Sequence, residues 1–170
     1  MKLTICDLDA GLILHAAHFI ARDDLKTVSA VVGNITAQVA DAAVSPANSF
    51  GLMDGGVDLA YSRKWGWHVQ EQLRASIRAR PMGELLVGEA LVVATGDPDL
   101  PFCISAPTMR VPRPIHDPAD VYLASRAAFL AAREHGFAHI VMPGMGTLTG
   151  RVPHAVATRF MLDAYRAVFG

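Results

Sequence analysis

Residues 139–153 read HIVMPGMGTLTGRVP, and this stretch decides the fold. His139–Met142 is a short apolar run of the kind that forms a buried strand. Pro143 to Gly150 then carries three glycines and two threonines in eight positions, and Pro153 suits the first turn of a helix. A strand, a glycine-rich turn and a helix in succession are the elements of an α/β chain. Such a loop can wrap a phosphate with backbone amides. It has no lysine where a P-loop would need one, so it is not a nucleotide triphosphate cradle of that type.

Working outward, the final helix from Pro153 is expected to bury Val156, Phe160, Ala164 and Val168 while Arg159, Asp163 and Arg166 face water. Upstream, Asp117-Pro118-Ala119-Asp120 is a helix start, with the helix running to about His135 and stopping at Gly136. Strands are read at Lys2–Leu8, Thr27–Val32, Ala42–Ser45, Ala90–Thr95 and Phe102–Ala106. Helices are read at Ala10–Ala21, Gly56–Lys64 and Val69–Arg80, the last two broken near Gly66. In the third, Val69, Leu73 and Ile77 form the apolar stripe, and Arg74, Arg78 and Arg80 make a solvated face. Trp65 and Trp67 are expected to cover the sheet edge. This alternation predicts a mostly parallel sheet covered on both faces, in one domain spanning 1–170. In such sheets ligands sit beyond the carboxyl ends of the strands, so the segments just after strands carry the functional candidates.

A second such segment, Ser45 to Asp58, reads SPANSFGLMDGGVD. Asn48 offers a donor and an acceptor to sugar hydroxyls. Gly55 and Gly56 permit close backbone approach and expose amides at a helix start, where an anion is stabilised. Asp58 has two readings: a carboxylate that orients water or acts as a general base, or a first-turn residue complementing the helix dipole. Asp54 reads as an exposed turn former, His154 as a helix-start surface residue in preference to a ligand contact beside the glycine loop, and Phe50 either as a stacking group or as a core anchor. Asp7 and Asp9, near the first strand end, lack a glycine-rich phosphate turn and read as scaffold.

Composition narrows the field. The chain has 170 residues, 52% hydrophobic and 18% charged, with a formal net charge of −1. It can bury a sizeable core, and it lacks the basic field of a general nucleic-acid or membrane-surface binder. Sequence-specific nucleic-acid binding and membrane partners are not expected. Cys6 and Cys103 sit in apolar runs and read as core thiols in a reducing, cytoplasmic setting. Asp7 and Asp9 interrupt the N-terminal apolar run, and His15 and His18 fall where a signal peptide would be apolar. The histidines show no metal-ligand spacing, so no metal or cofactor is expected.

Four segments in order, Gly33-Asn34-Ile35-Thr36, Val44-Ser45-Pro46-Ala47-Asn48-Ser49, Gly55-Gly56-Val57-Asp58 and Met142-Pro143-Gly144-Met145-Gly146-Thr147, resemble the macrodomain family over about residues 28–170. The wording of Ser45–Tyr61 and Ser105–Arg110 is most similar to bacterial and phage-type members. The resemblance implies a three-layer α/β/α sandwich with a central, mostly parallel mixed sheet and a cleft for ADP-ribose. It implies that Asn34 meets the adenine, with Ile35 beside it as a further ligand-binding residue, Asn48 the distal ribose, Gly55, Gly56 and Val57 the ribose and diphosphate, and Gly144, Met145, Gly146, Thr147, Leu148, Thr149 and Gly150 the diphosphate. Asn34 stands where the family usually has Asp; its oxygen is expected to accept from the adenine amine in a weaker, uncharged bond. Leu148 stands where glycine is usual, and is expected either to need a left-handed backbone or to narrow the cleft.

Two functions follow from this reading. The first is a binding module for ADP-ribose, free or on a macromolecule. The other is an ADP-ribosyl hydrolase acting on modified protein or nucleic acid, or processing an ADP-ribose derivative, with Asn48 and Asp58 positioning substrate and water. A Rossmann-like transferase is a third, weaker alternative.

Overall fold

The computed structural model describes all 170 residues. In chain order they form β1 (Lys2–Asp7), α1 (Ala10–Arg22), β2 (Val28–Val32), a 3₁₀ turn (Ile35–Ala37), β3 (Ala42–Ser45), α2 (Gly56–Trp65), α3 (His68–Arg78), β4 (Leu91–Ala94), β5 (Phe102–Ser105), α4 (Ala119–Glu134), β6 (His139–Met142) and α5 (His154–Phe169). All six strands join one sheet in the order β2-β1-β6-β3-β5-β4. Every pairing is parallel except β4 with β5, so the sheet is mixed through one edge strand.

The inner strands β1, β6, β3 and β5 are buried on both faces, and their alternation splits the core in two. Leu3 and Ile5 of β1, Ala42 and Val44 of β3, Ile104 of β5 and Ile140 and Met142 of β6 pack with α1, α4 and α5. Cys6, Ala43, Cys103 and Val141 face the other way, against Tyr61 and Trp65 of α2 and Val69, Leu73 and Ile77 of α3. This is the three-layer α/β/α sandwich. Both cysteines are free and buried, as core thiols.

Helix ends follow their local chemistry. Asp9 caps α1 by accepting from the amides of Gly11 and Leu12. Asp117 accepts from the Ala119 amide at the start of α4, and Gly136, at φ 70°, ends that segment.

Two expectations are corrected. On α5 the fully buried stripe is Ala157, Met161, Leu162 and Ala164, while Val156, Phe160 and Val168 flank it. The helix lies against both α1 and α4, so its buried face is wider and rotated from the one its apolar period suggests. The polar side holds: Arg159 pairs with Asp163, and Arg166 with Asp163 and Asp23. Of the two tryptophans, only Trp65 is buried, stacked on Tyr61, whereas Trp67 is about half exposed. No helix is long and apolar enough to cross a membrane.

Candidate functional site

Because β1, β2, β3, β5 and β6 are parallel, their carboxyl ends share one edge of the sheet. A cleft of about 610 Å³ opens there. The strand order sets the sequence of loops along it. Asn34 and Ile35 follow β2 at one end, and Leu8 and Asp9 follow β1 beside them. The glycine loop after β6 lies in the middle, and the Asn48–Asp58 loop after β3 comes next. Thr108, Met109 and Pro112, after β5, complete the far end.

The predicted residues Asn34, Ile35, Asn48, Gly55, Gly56, Val57, Asp58, Gly144, Gly146, Thr147, Leu148, Thr149 and Gly150 all line this cleft. Met145 departs from the expectation. Its side chain is fully buried in the core beneath the loop, so only its backbone is available to the cleft side.

The glycine loop is held in shape from three directions. Asp7 accepts a hydrogen bond from the Gly144 amide at 2.9 Å, joining the end of β1 to the loop. The Gly150 carbonyl accepts from the Ile115 amide at 2.8 Å, and the Gly146 carbonyl from Val152 at 3.1 Å. A Cβ at Gly150 would fall on the Gly146 carbonyl oxygen and lie 2.6 Å from Ile115 Cδ1. The glycine there is required by close packing.

Across the cleft, α2 starts at Gly55 with no side-chain cap, so its first amides are left for solvent or a ligand. Gly56 has φ 55°, a conformation that disfavours other residues. A Cβ there would meet Leu148 Cδ2 at 3.3 Å. Leu148 itself is not left-handed, is 73% exposed, and reaches over from the facing loop. The cleft is therefore narrowed at this point, the second of the two outcomes expected for Leu148.

Asn48 is engaged by its own loop. Its Oδ1 accepts from the amides of Phe50 and Leu52, and its Nδ2 donates to the Leu52 carbonyl at 2.9 Å. One Nδ2 hydrogen remains for the cleft. Phe50 is not part of the cleft; the Arg110 guanidinium lies over its ring. Asn34 Oδ1 is likewise taken, by the amide and hydroxyl of Thr36.

Asp58 is the most perturbed group in the cleft. It occupies the first turn of α2, yet it is only 6% exposed and turns to the end of β3, where Ser45 Oγ donates to it at 2.6 Å. Burial raises its pKa from 3.8 to about 7; the Ser45 hydrogen bond opposes the rise and the charge of Asp54 adds to it. Only one carboxylate oxygen has this partner.

The lining holds four aspartates (Asp7, Asp9, Asp54 and Asp58), one histidine (His154), and no lysine or arginine. With no lysine or arginine, the donors open to a phosphate are backbone amides, helix ends, threonine hydroxyls and His154. Asp7, Asp9 and His154, which sequence reading assigned to scaffold and surface, are thus part of the cleft. Their position at and just after the carboxyl end of β1 and at the start of α5 was the signal that marked them.

A model of the family described as Macro domain matches residues 44–161. The chain belongs to the macrodomain family. An uncharacterized protein of Aquifex aeolicus is 37% identical over 143 residues, covering 84% of this chain and 81% of its own length. Among solved structures, the macrodomain of Mycobacterium tuberculosis DarG superposes with a TM-score of 0.70 at 21% identity, over 79% of this chain and 87% of its own. A variant of the Oceanobacillus iheyensis macrodomain solved with ADPR gives 0.68 at 20% identity, over 78% and 73%. These two likenesses establish the macrodomain fold. The family match leaves out the first 43 residues, which nevertheless build two strands of the sheet and one end of the cleft.

Proposed function

We propose that the cleft binds ADP-ribose or a close NAD-derived nucleotide, free or attached to a macromolecule. The observation that carries this is the order of the loops. A glycine loop rich in amides occupies the centre, with a second amide-bearing helix start facing it across Gly56 and Leu148. Polar and apolar groups suited to a base and to a sugar lie on opposite sides of that centre. A linear base–ribose–diphosphate–ribose ligand has this succession of chemistry. The absence of lysine and arginine fits recognition by dipoles, which hold a diphosphate without a fixed cation. The Oceanobacillus structures include variants at an asparagine, a glycine seven residues on and an aspartate three beyond that. Asn48, Gly55 and Asp58 have the same spacing. Calorimetry tests the reading: ADP-ribose should bind more tightly than AMP, which lacks the second phosphate and sugar. Equal affinities would remove the diphosphate role of Gly144–Gly150.

A second reading, ADP-ribosyl hydrolysis, is favoured by Asp58. A carboxylate that lines the cleft, keeps one oxygen free and titrates near neutrality is matched to general-base work or to orienting water. Asn48 would steady the distal ribose through its remaining Nδ2 hydrogen. In that case Asp58→Asn should keep ADP-ribose affinity within a few-fold and cut turnover by roughly 10²-fold. A wild-type protein that binds but releases no ADP-ribose from modified protein or DNA would leave the binding role alone.

A further inference from the structure

The end of the cleft formed after β1 and β2 lies outside the stretch matched by the family model, and it is chemically distinct. We propose that the acceptor reading the exocyclic amine of the base is Asp9, and not Asn34. The inference rests on the ADP-ribose reading above.

Asn34 cannot serve as that acceptor in this fold. Its Oδ1 takes the Thr36 amide at 3.0 Å and the Thr36 hydroxyl at 2.8 Å, which fills both lone pairs. What Asn34 has left for the cleft is its amide N–H₂, a donor. Asp7 is partly used, each carboxylate oxygen taking one backbone amide, Oδ1 that of Asp9 and Oδ2 that of Gly144, which tie it to the loop. Asp9 differs. Its Oδ1 accepts from Gly11 and Leu12 to cap α1, while Oδ2 has no hydrogen-bond donor in the protein. His154 Nε2 lies 3.4 Å from Oδ2, and the Asp9 side chain is 52% exposed. Between the two aspartates stands Leu8, 76% exposed and lining the cleft, an apolar wall at the point where a flat ring would need one.

This end therefore presents a carboxylate acceptor, an amide donor and an apolar face. An aminopurine complements all three: its amine donates to Asp9, its N7, an acceptor in both purines, takes the Asn34 amide, and its ring packs on Leu8. A 6-oxopurine turns a carbonyl lone pair toward the Asp9 carboxylate, which is repulsive.

The test is calorimetry of ADP-ribose against its hypoxanthine counterpart, inosine diphosphate ribose, on the wild type, Asp9→Ser and Asn34→Ser. Serine keeps a side-chain oxygen able to cap in both places. The wild type should prefer ADP-ribose by on the order of tenfold or more, the scale of a hydrogen bond to a charged group. Asp9→Ser should reduce that preference to within about threefold, whereas Asn34→Ser, which removes a donor to a nitrogen both purines share, should weaken both ligands and retain the ratio. A general loss of structure would weaken both ligands together and leave their ratio unchanged, so the ratio reports recognition. Equal wild-type affinities, or a preference that survives in Asp9→Ser, overturn the inference while the ADP-ribose reading stands. If neither ligand binds the wild type, both fall.

Discussion

Asp58→Asn separates a buried charge in the cleft from a helix-start carboxylate, because the two predict opposite signs of stability change. In the unfolded chain Asp58 titrates near 3.8, and in the fold near 7. Between those values the folded state holds a proton that the unfolded state has lost. Stability from this group is complete below the unfolded value and is lost as pH rises through the folded one. Each pH unit in that window costs about 1.4 kcal/mol, so the wild type loses on the order of 3 kcal/mol between pH 5 and pH 8 from Asp58 alone. Asparagine has nearly the same shape, its oxygen can accept from Ser45 Oγ, and it carries no charge. The stability of the variant relative to the wild type should therefore rise by about 3 kcal/mol between pH 5 and pH 8. Urea unfolding of both proteins at several pH values from 5 to 9 gives the difference directly, with other titrating groups cancelling. A flat difference would refute the argument. So would an asparagine variant less stable by about 0.3–1 kcal/mol throughout, the mark of a carboxylate serving only the helix dipole.

The same ionisation should weaken the proposed ligand: ADP-ribose affinity, measured by calorimetry, should fall as pH rises through about 7, because the anion is then bound beside a charged Asp58. Gly56→Glu puts a charged side chain at φ 55° against Leu148. It should lower ADP-ribose affinity by more than about tenfold, about 1.4 kcal/mol, with the circular dichroism spectrum retained; unchanged affinity in a folded variant would move the ligand elsewhere. Gly150→Ala drives a methyl group into the Gly146 carbonyl and Ile115, and should cost about 1–3 kcal/mol in denaturant unfolding. A fully stable Gly150→Ala protein would mean the loop is not held as described.

Much of this molecule is local, and local features are legible in the chain. His139–Met142 with its glycine loop, the Asp117–Pro118 helix start and the stripe Val69, Leu73, Ile77 each declare themselves within a few residues, because period, capping and turn chemistry act over that range. The Asn48, Gly55, Gly56 and Asp58 segment is legible for the same reason, and so is its position after a strand. What the chain leaves open are encounters between distant segments. The Asp7–Gly144 hydrogen bond joins residues 137 positions apart, and it exists only because β1 lies next to β6 in the sheet. The buried, nearly neutral state of Asp58 depends on α2 folding back onto the end of β3 at Ser45. The rotation of α5 is set by two neighbouring helices at once. The pairing of Leu148 with Gly56 needs two loops from opposite halves of the chain to meet. Residue type and spacing determine which groups are available and where helices and strands begin. Burial, charge state and hydrogen-bond saturation belong to the assembled layers, because each is a property of what surrounds a group and not of the group itself.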